Sequence, residues 1–456
     1  MMFQTLHRTM KPSDTLKIRC EVCWKRRENI SQRQRRSFTK TSPPIRSISK
    51  PNERLKRRRS TKRKNIRAQR DRRKPSVYAK WCVCSGGRMT PQIPKSPARL
   101  RSEGNLSGRS LEWITFEQAV AETEDRRRHL LLGNGFSILA YEKFRYESLL
   151  TKASEVDETI RDLLDALGAG DFEEAMRLSG DAATRIRVRD TFIKTIGLTH
   201  PQRREIDAAS RRACAHFLSK FLRKTKDPRR GVVFTTNYDL VLYWVLVQFS
   251  GALDAWDGFD SDFVWNGVTA SCDVFYLHGG MHIYARPRGN GEQIVKIEAD
   301  KAKHGRRLRD VIRDHLDRGE LPVFISEGTS TQKRGRIRSN DYLSAAFGKF
   351  LRVCAEPDSV LFTVGHGLSE VDQHLTNVIG GGQVHRAYLG VFSTVDEEQA
   401  NRLSDRWRLQ RQAEHHPPVE VKVFKTAECG IWRPEAGLGE LPPARRRRLT
   451  KRPLHA

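Results

Sequence analysis

The chain has 456 residues, with 84 Lys and Arg against 54 Asp and Glu and a formal charge of +30. No run of 18 apolar residues occurs and no apolar leader follows Met1. A helical membrane span and secretion are therefore not expected, and a cytoplasmic setting is.

Residues 1 to about 110 hold about 32 Lys and Arg against about 6 Asp and Glu, so nearly all the net charge lies there. The segment is rich in Arg, Lys, Ser and Pro, with runs such as Arg57-Arg-Arg59 and no apolar period. It cannot bury enough apolar surface to offset its chain entropy and is expected to be a disordered basic extension. Two readings of it stay open. Clustered cations could release counterions from nucleic acid; alternatively the segment lies upstream of the natural start, with Met89 as an alternative. Cys20-x-x-Cys23 and Cys82-x-Cys84 are too far apart for a usual zinc ribbon, and Cys214, Cys272, Cys354 and Cys429 are isolated and expected to be reduced.

From 111 to 430 the pattern is globular and nearly neutral. A helix is expected over 111–124 and a strand over 129–133. A mainly helical block follows at 141–225, with apolar residues at helical spacing over 157–167, 172–179, 184–196 and 205–224. Strand 231–236 leads into helix 239–249, and strand 273–277 follows a looser stretch. A helix over 305–318, a strand over 321–326, a helix over 341–353, a strand over 359–364 and a helix over 370–379 come next. Strand 386–392, helix 395–411 and strand 419–424 complete the series, before a basic disordered tail at 431–456 that holds Arg445-Arg-Arg-Arg448. Strands alternating with helices predict an α/β fold with a doubly wound, mostly parallel Rossmann-like sheet. The helical block would cap its carboxyl edge, where ligands bind in such sheets.

The chemistry-bearing residues fall at that edge. Gly133-Asn134-Gly135-Phe-Ser137 separates a strand from a helix, where glycines and a helix N-terminus suit a pyrophosphate; a tight structural turn would use the same residues. The third glycine of the dinucleotide fingerprint is replaced by Ile138, and no acidic residue stands at the ribose position of a dehydrogenase. In Thr235-Thr236-Asn237-Tyr-Asp239, Asn237 could hold a ribose hydroxyl or a water, or form an Asx-turn. Asp239 could contact the ligand or cap the next helix. His278, before Gly279 and Gly280, could be a general base or a structural loop histidine. His282 supplies no third ligand for a metal, and no metal is expected. In Gly365-His-Gly-Leu-Ser369-Glu-Val-Asp372, Ser369 and Asp372 either face the ligand or form a capping box. Lys333, Arg334, Arg336 and Arg338 could neutralise phosphate or belong to a solvated loop.

The order G-[AN]-G-x-S, T-x-N-x-D, H-G and G-x-x-x-S-x-x-D resembles the sirtuin-like domains of bacterial antiviral NAD-consuming proteins. Residues 129–425 are similar to an uncharacterised bacterial family, domain of unknown function 4917. The closer match rests on Leu131-Leu-Gly-Asn-Gly-Phe-Ser137, Asp171-Phe-Glu173, Asn237-Tyr-Asp-Leu-Val-Leu-Tyr-Trp244, Tyr276-Leu-His-Gly279, Glu327-Gly-Thr-Ser330 and Ser339-Asn-Asp-Tyr-Leu343. The resemblance implies a sirtuin-like sheet that hydrolyses NAD to nicotinamide and ADP-ribose, with Asn237 and His278 catalytic. It further implies that Gly133, Asn134, Gly135, Ser137, Thr236, Asp239, Gly365, Ser369 and Asp372 hold the nucleotide. The four-cysteine zinc module of deacetylating sirtuins is absent from the globular sequence, so deacylation is not expected. His366 stands where related turns often carry Tyr. A nucleotide-binding sensor without turnover, or a protein acting on nucleic acid through its basic tails, are the alternatives, and an oligomeric state is left open.

Overall fold

A computed structural model describes residues 111–223, 227–289, 291–297, 307–325 and 329–434. The basic extension and residues 435–456 lie outside the described residues, and with them most of the expectations of disorder and of nucleic-acid contact. At the start of the tail expected over 431–456, Ile431 and Trp432 are buried instead, and Trp432 Nε1–H donates to the Phe136 carbonyl at 2.8 Å.

Nine strands are formed among the described residues: β1 (Glu112–Trp113), β2 (Arg127–Leu132), β3 (Val233–Thr235), β4 (Val274–Tyr276), β5 (Ile283–Arg288), β6 (Gly291–Lys296), β7 (Ser359–Val364), β8 (Arg386–Val391) and β9 (Glu420–Lys425). Seven of them make one wholly parallel sheet in the order β1-β9-β8-β7-β2-β3-β4. Leaving aside the two-residue edge strand β1, the path β4-β3-β2-β7-β8-β9 is the Rossmann order. The chain runs outward from β2 in one direction to β3 and β4. It then crosses to the other side of β2 for β7, β8 and β9, so the direction reverses between β2 and β7 and a crevice opens beyond their carboxyl ends.

The central strands are apolar on both faces, as a covered parallel sheet requires. Every residue of β7 and all but the first of β2 are buried. Leu130, Leu132, Val233 and Phe362 pack toward Phe172, Phe192 and Phe217 of the helical block. Leu131, Phe234, Phe275 and Leu361 pack toward Phe350, Leu375 and Trp407 on the opposite face. The segment between β2 and β3 is helical, with helices Tyr146–Ala153, Ile160–Leu167, Phe172–Leu178, Ala182–Thr199 and Ala208–Ser219. No helix among the described residues is long and apolar enough to cross a membrane.

Two further expectations need correction, and two elements come in addition. The helix expected over 111–124 is strand β1 followed by a helix at Phe116–Ala121, started by a capping box of Thr115 and Gln118. Of the strand expected over 321–326, the described residues 321–325 do not join the sheet. Pro322 has no N–H to donate, and Phe324 makes only an isolated antiparallel bridge to Gly279. Gly279, at φ +83°, allows this approach, since a Cβ there would lie 2.0 Å from the Val323 carbonyl oxygen. The β5–β6 hairpin and a helix at Ser330–Arg338 were not anticipated.

Candidate functional site

A cavity of about 460 Å³ opens at the sheet reversal. Its floor comes from the turns after β2, β3, β4 and β7, and one wall from Phe144, Tyr146, Glu173 and Phe192 of the helical block. The two glycine turns are pressed back to back. The Gly133 N–H donates to the Val364 carbonyl at 3.0 Å and the Gly135 N–H to the Gly365 carbonyl at 2.8 Å. A Cβ on Gly133 would lie 2.5 Å from the Gly365 oxygen, and one on Gly135 2.7 Å from the Gly365 Cα. These glycines therefore serve close backbone approach, and two N–H groups of the first turn are already committed.

Asn237 follows β3 and is buried against the same cavity. Its Nδ2–H donates to Ser137 Oγ at 2.8 Å, and Oδ1 is buried with no partner among the described residues. Asp239 Oδ1 accepts the Val241 N–H at 2.8 Å. Burial pushes the Asp239 carboxyl up, while hydrogen bonds from Ser137 and Val241 oppose it. A hydroxyl that donates to a carboxylate must accept from the amide, so Asp239 and Ser137 orient Asn237 with its carbonyl oxygen free for a ligand.

His278 follows β4. Its Nε2 lies 3.0 Å from His374 Nε2, the rings stacked with centroids 5.2 Å apart. One nitrogen donates and the other accepts. Asp372 Oδ1 is 3.9 Å from His278 Nε2, and Oδ2 is 3.8 Å from His366 Nε2. His366 Nδ1 accepts the Leu368 N–H at 3.0 Å, which places its proton on Nε2, toward Asp372. Burial holds all three imidazoles below their ordinary value, His374 to about 4. They are neutral at pH 7.

Lys333 is fully buried, with Nζ 2.9 Å from both Glu173 Oε2 and Asp372 Oδ1. Burial would raise the Asp372 carboxyl, but Lys333 and the neighbouring histidines outweigh it and hold the group well below the usual carboxylate range. Glu173 moves the other way, raised by burial and by the Asp372 charge against the pull of Lys333. The carboxylates Asp171, Glu173, Glu174, Asp239 and Asp372 line the cavity, and no Lys or Arg does so among the described residues.

The fold thus brings Gly133, Asn134, Thr236, Asn237, Asp239, His278, Gly365, Ser369 and Asp372 to one cavity. Gly135 and Ser137 stand behind its wall. The capping-box reading of Ser369 and Asp372 does not hold, because Ser369 makes no side-chain cap and Asp372 turns to Lys333. Arg334, Arg336 and Arg338 are exposed on a helix, not in a loop, and none lines the cavity. His282 is fully buried, in contact with the rings of Tyr243 and Tyr276.

Sequence reading offered Lys333 only as a phosphate-neutralising or solvated loop residue, where it is a buried partner of Glu173 and Asp372, and did not single out Glu173 or His374 as members of the site. The available signals were the capping residues Thr329 and Gln332, which start the Lys333 helix, and His374 two positions beyond Asp372. Donor atoms of His278, His374 and Asp372 lie within 4.8 Å of one another, a spacing a metal ion could use. The Asp372 oxygen facing His278 already carries the Lys333 ammonium, which supplies the counter-charge, so we assign no metal.

Among known proteins, the family model described as "Domain of unknown function (DUF4917)" matches residues 130–432. A solved structure titled as a Sir2 homolog–NAD complex is similar at 11% identity, covering 71% of this chain and 93% of that chain with a TM-score of 0.30. No curated protein matches the sequence.

Proposed function

As the chain belongs to the DUF4917 family, whose description assigns no activity, we propose from the site itself that it is a sirtuin-like NAD glycohydrolase, releasing nicotinamide and ADP-ribose. The observation that carries this reading is the meeting of Asn237 and His278, from two different strand ends, in one cavity at the sheet reversal.

The cavity's charge suits the reaction. The nicotinamide of NAD leaves from a pyridinium cation, and the ribose passes through a state with positive charge at C1′. The carboxylates lining the cavity stabilise the charge that develops at C1′. The Asn237 carbonyl oxygen orients a water toward C1′. As the water oxygen bonds to C1′, the C1′–N bond breaks and its electron pair returns to the ring as neutral nicotinamide. The water's proton passes to the neutral imidazole of His278. Asn134 and the Gly365–Ser369 turn face the phosphates and the second ribose, and Thr236 borders the reacting sugar. Asp239 acts through Ser137 on Asn237. In a cell the reaction would deplete NAD, the role that the resemblance to antiviral domains suggests.

The test is nicotinamide release from NAD by the purified full chain. General-base assistance is worth about 10²–10⁴-fold, so Asn237→Ala and His278→Ala are each expected to lower turnover at least 100-fold while still unfolding cooperatively well above the assay temperature. NAD-dependent thermal stabilisation with no release in any variant would replace the enzyme with a nucleotide sensor.

A further inference from the structure

Lys333 has no place in the chemistry just described, yet its environment is costly. An ammonium with no exposed surface is strongly disfavoured unless its partners are exact. Here two carboxylates meet it at 2.9 Å, Glu173 from helix Phe172–Leu178 and Asp372 from the turn after β7. Asp372 is in turn the anionic group beside two of the site's imidazoles, with one oxygen 3.9 Å from His278 and the other 3.8 Å from His366. Lys333 therefore stands where the helical wall, the Ser330–Arg338 helix and the catalytic edge of the sheet meet.

We propose that Lys333 is a positioning residue of this site: its ammonium clamps Asp372 beside the His278–His374 pair and ties the helical wall to the sheet edge. The inference rests on the hydrolase reading only for its effect on rate; the clamp itself can be tested without turnover. The charged and titratable groups around it are Glu173, Asp372, His278, His366 and His374, together with Tyr146, Asp171 and Arg334. With Lys333 in place, the Asp372 charge is matched and the imidazoles stay unprotonated. Without it, Asp372 is a buried anion whose remaining partners are histidines, and a proton is drawn onto them. His278 then starts the reaction already protonated and cannot accept the proton of the attacking water.

Lys333→Met alone leaves two unpaired carboxylates and could fail to fold, so the variant of choice is Lys333→Met with Glu173→Gln. In the full chain labelled with ¹⁵N-histidine, with signals assigned through His278→Gln, His366→Gln and His374→Gln, imidazole titration is followed by NMR. At least one of the three imidazoles is expected to titrate at least one pH unit higher in the double variant than in the parent. The NAD rate, flat from pH 6 to 8 in the parent, should fall in the double variant as pH drops through the raised His278 titration and recover above it. Adding Asp372→Asn should return the histidine titration toward that of the parent. Unchanged histidine titration in a folded double variant overturns the clamp, whatever the rate does. If the parent releases no nicotinamide while the titration shifts as stated, the hydrolase reading fails and the clamp stands.

Discussion

Asn237 shows how a side chain of ordinary type acquires a defined chemical face. Its amide could point either way, and in an isolated turn it would exchange between water and its own backbone. Burial removes water, and the Asp239–Ser137 relay leaves one orientation, with Nδ2–H on Ser137 and Oδ1 unpaired. At the same scale, Gly365 carries a constraint that no other residue meets. It sits at φ +64°, and a Cβ there would lie 2.3 Å from the Phe136 nitrogen. Gly365→Ala is expected to cost at least about 2 kcal/mol, combining left-handed strain with overpacking. Gly170→Ala, where nothing lies within 4 Å, should be near neutral. Urea midpoints of the two variants check this, and equal midpoints would contradict the back-to-back packing of the turns.

Among elements, the helical segment between β2 and β3 decides whether the sheet edge is an open rim or a walled cavity. Phe172 and Phe192 stack with centroids 4.7 Å apart and hold helix Phe172–Leu178 against helix Ala182–Thr199. His200, at the end of the second helix, accepts the Leu240 N–H at 2.8 Å and donates to the Pro201 carbonyl at 2.9 Å, joining the segment to the turn after β3. Phe172→Ala is expected to lower stability by about 3–5 kcal/mol. Because Glu173 is the next residue, NAD turnover should fall further than in a buried truncation on the opposite face, such as Phe350→Ala. Unfolding and turnover measured on both variants separate the two effects. The elements that sequence reading misjudged have physical reasons. The residues Leu111 to Ile114 are too few to separate strand from helix, and the β5–β6 hairpin hid behind its charged residues although Gly289-Asn-Gly291 is a strong turn signal. Segment 321–326 is apolar enough for a strand, but Pro322 leaves it bridging a loop.

Across the whole molecule, a set of buried neutral imidazoles makes stability depend on pH. Burial takes His129 to about 3 and His200 and His374 to about 4, and holds His278, His282 and His366 below 6.5 as well. A depressed folded value means that the stabilisation is complete above the unfolded value of 6.5. It is lost as pH falls toward the folded values, because only the unfolded chain takes up protons. Each histidine contributes about 1.4 kcal/mol per pH unit in that window. The urea midpoint is therefore expected to hold between pH 8 and 7 and to drop steeply between pH 6.5 and 5. A flat profile down to pH 5 would mean that these rings are not buried and neutral.

Local pattern alone determined the alternating α/β class, the strands at the sheet centre and the turn residues that reach its carboxyl edge, because apolar runs and Gly, Asn and His endings are properties of neighbouring residues. Only the tertiary structure decided that Lys333 is a buried bridge, that Asp239 acts through Ser137 and that His374 meets His278. Lys333 and Glu173 are separated by 160 residues, and Lys333 and Asp372 by 39. A charge reads the same in sequence whether it faces water or two carboxylates, and the difference arises only when folding removes the water.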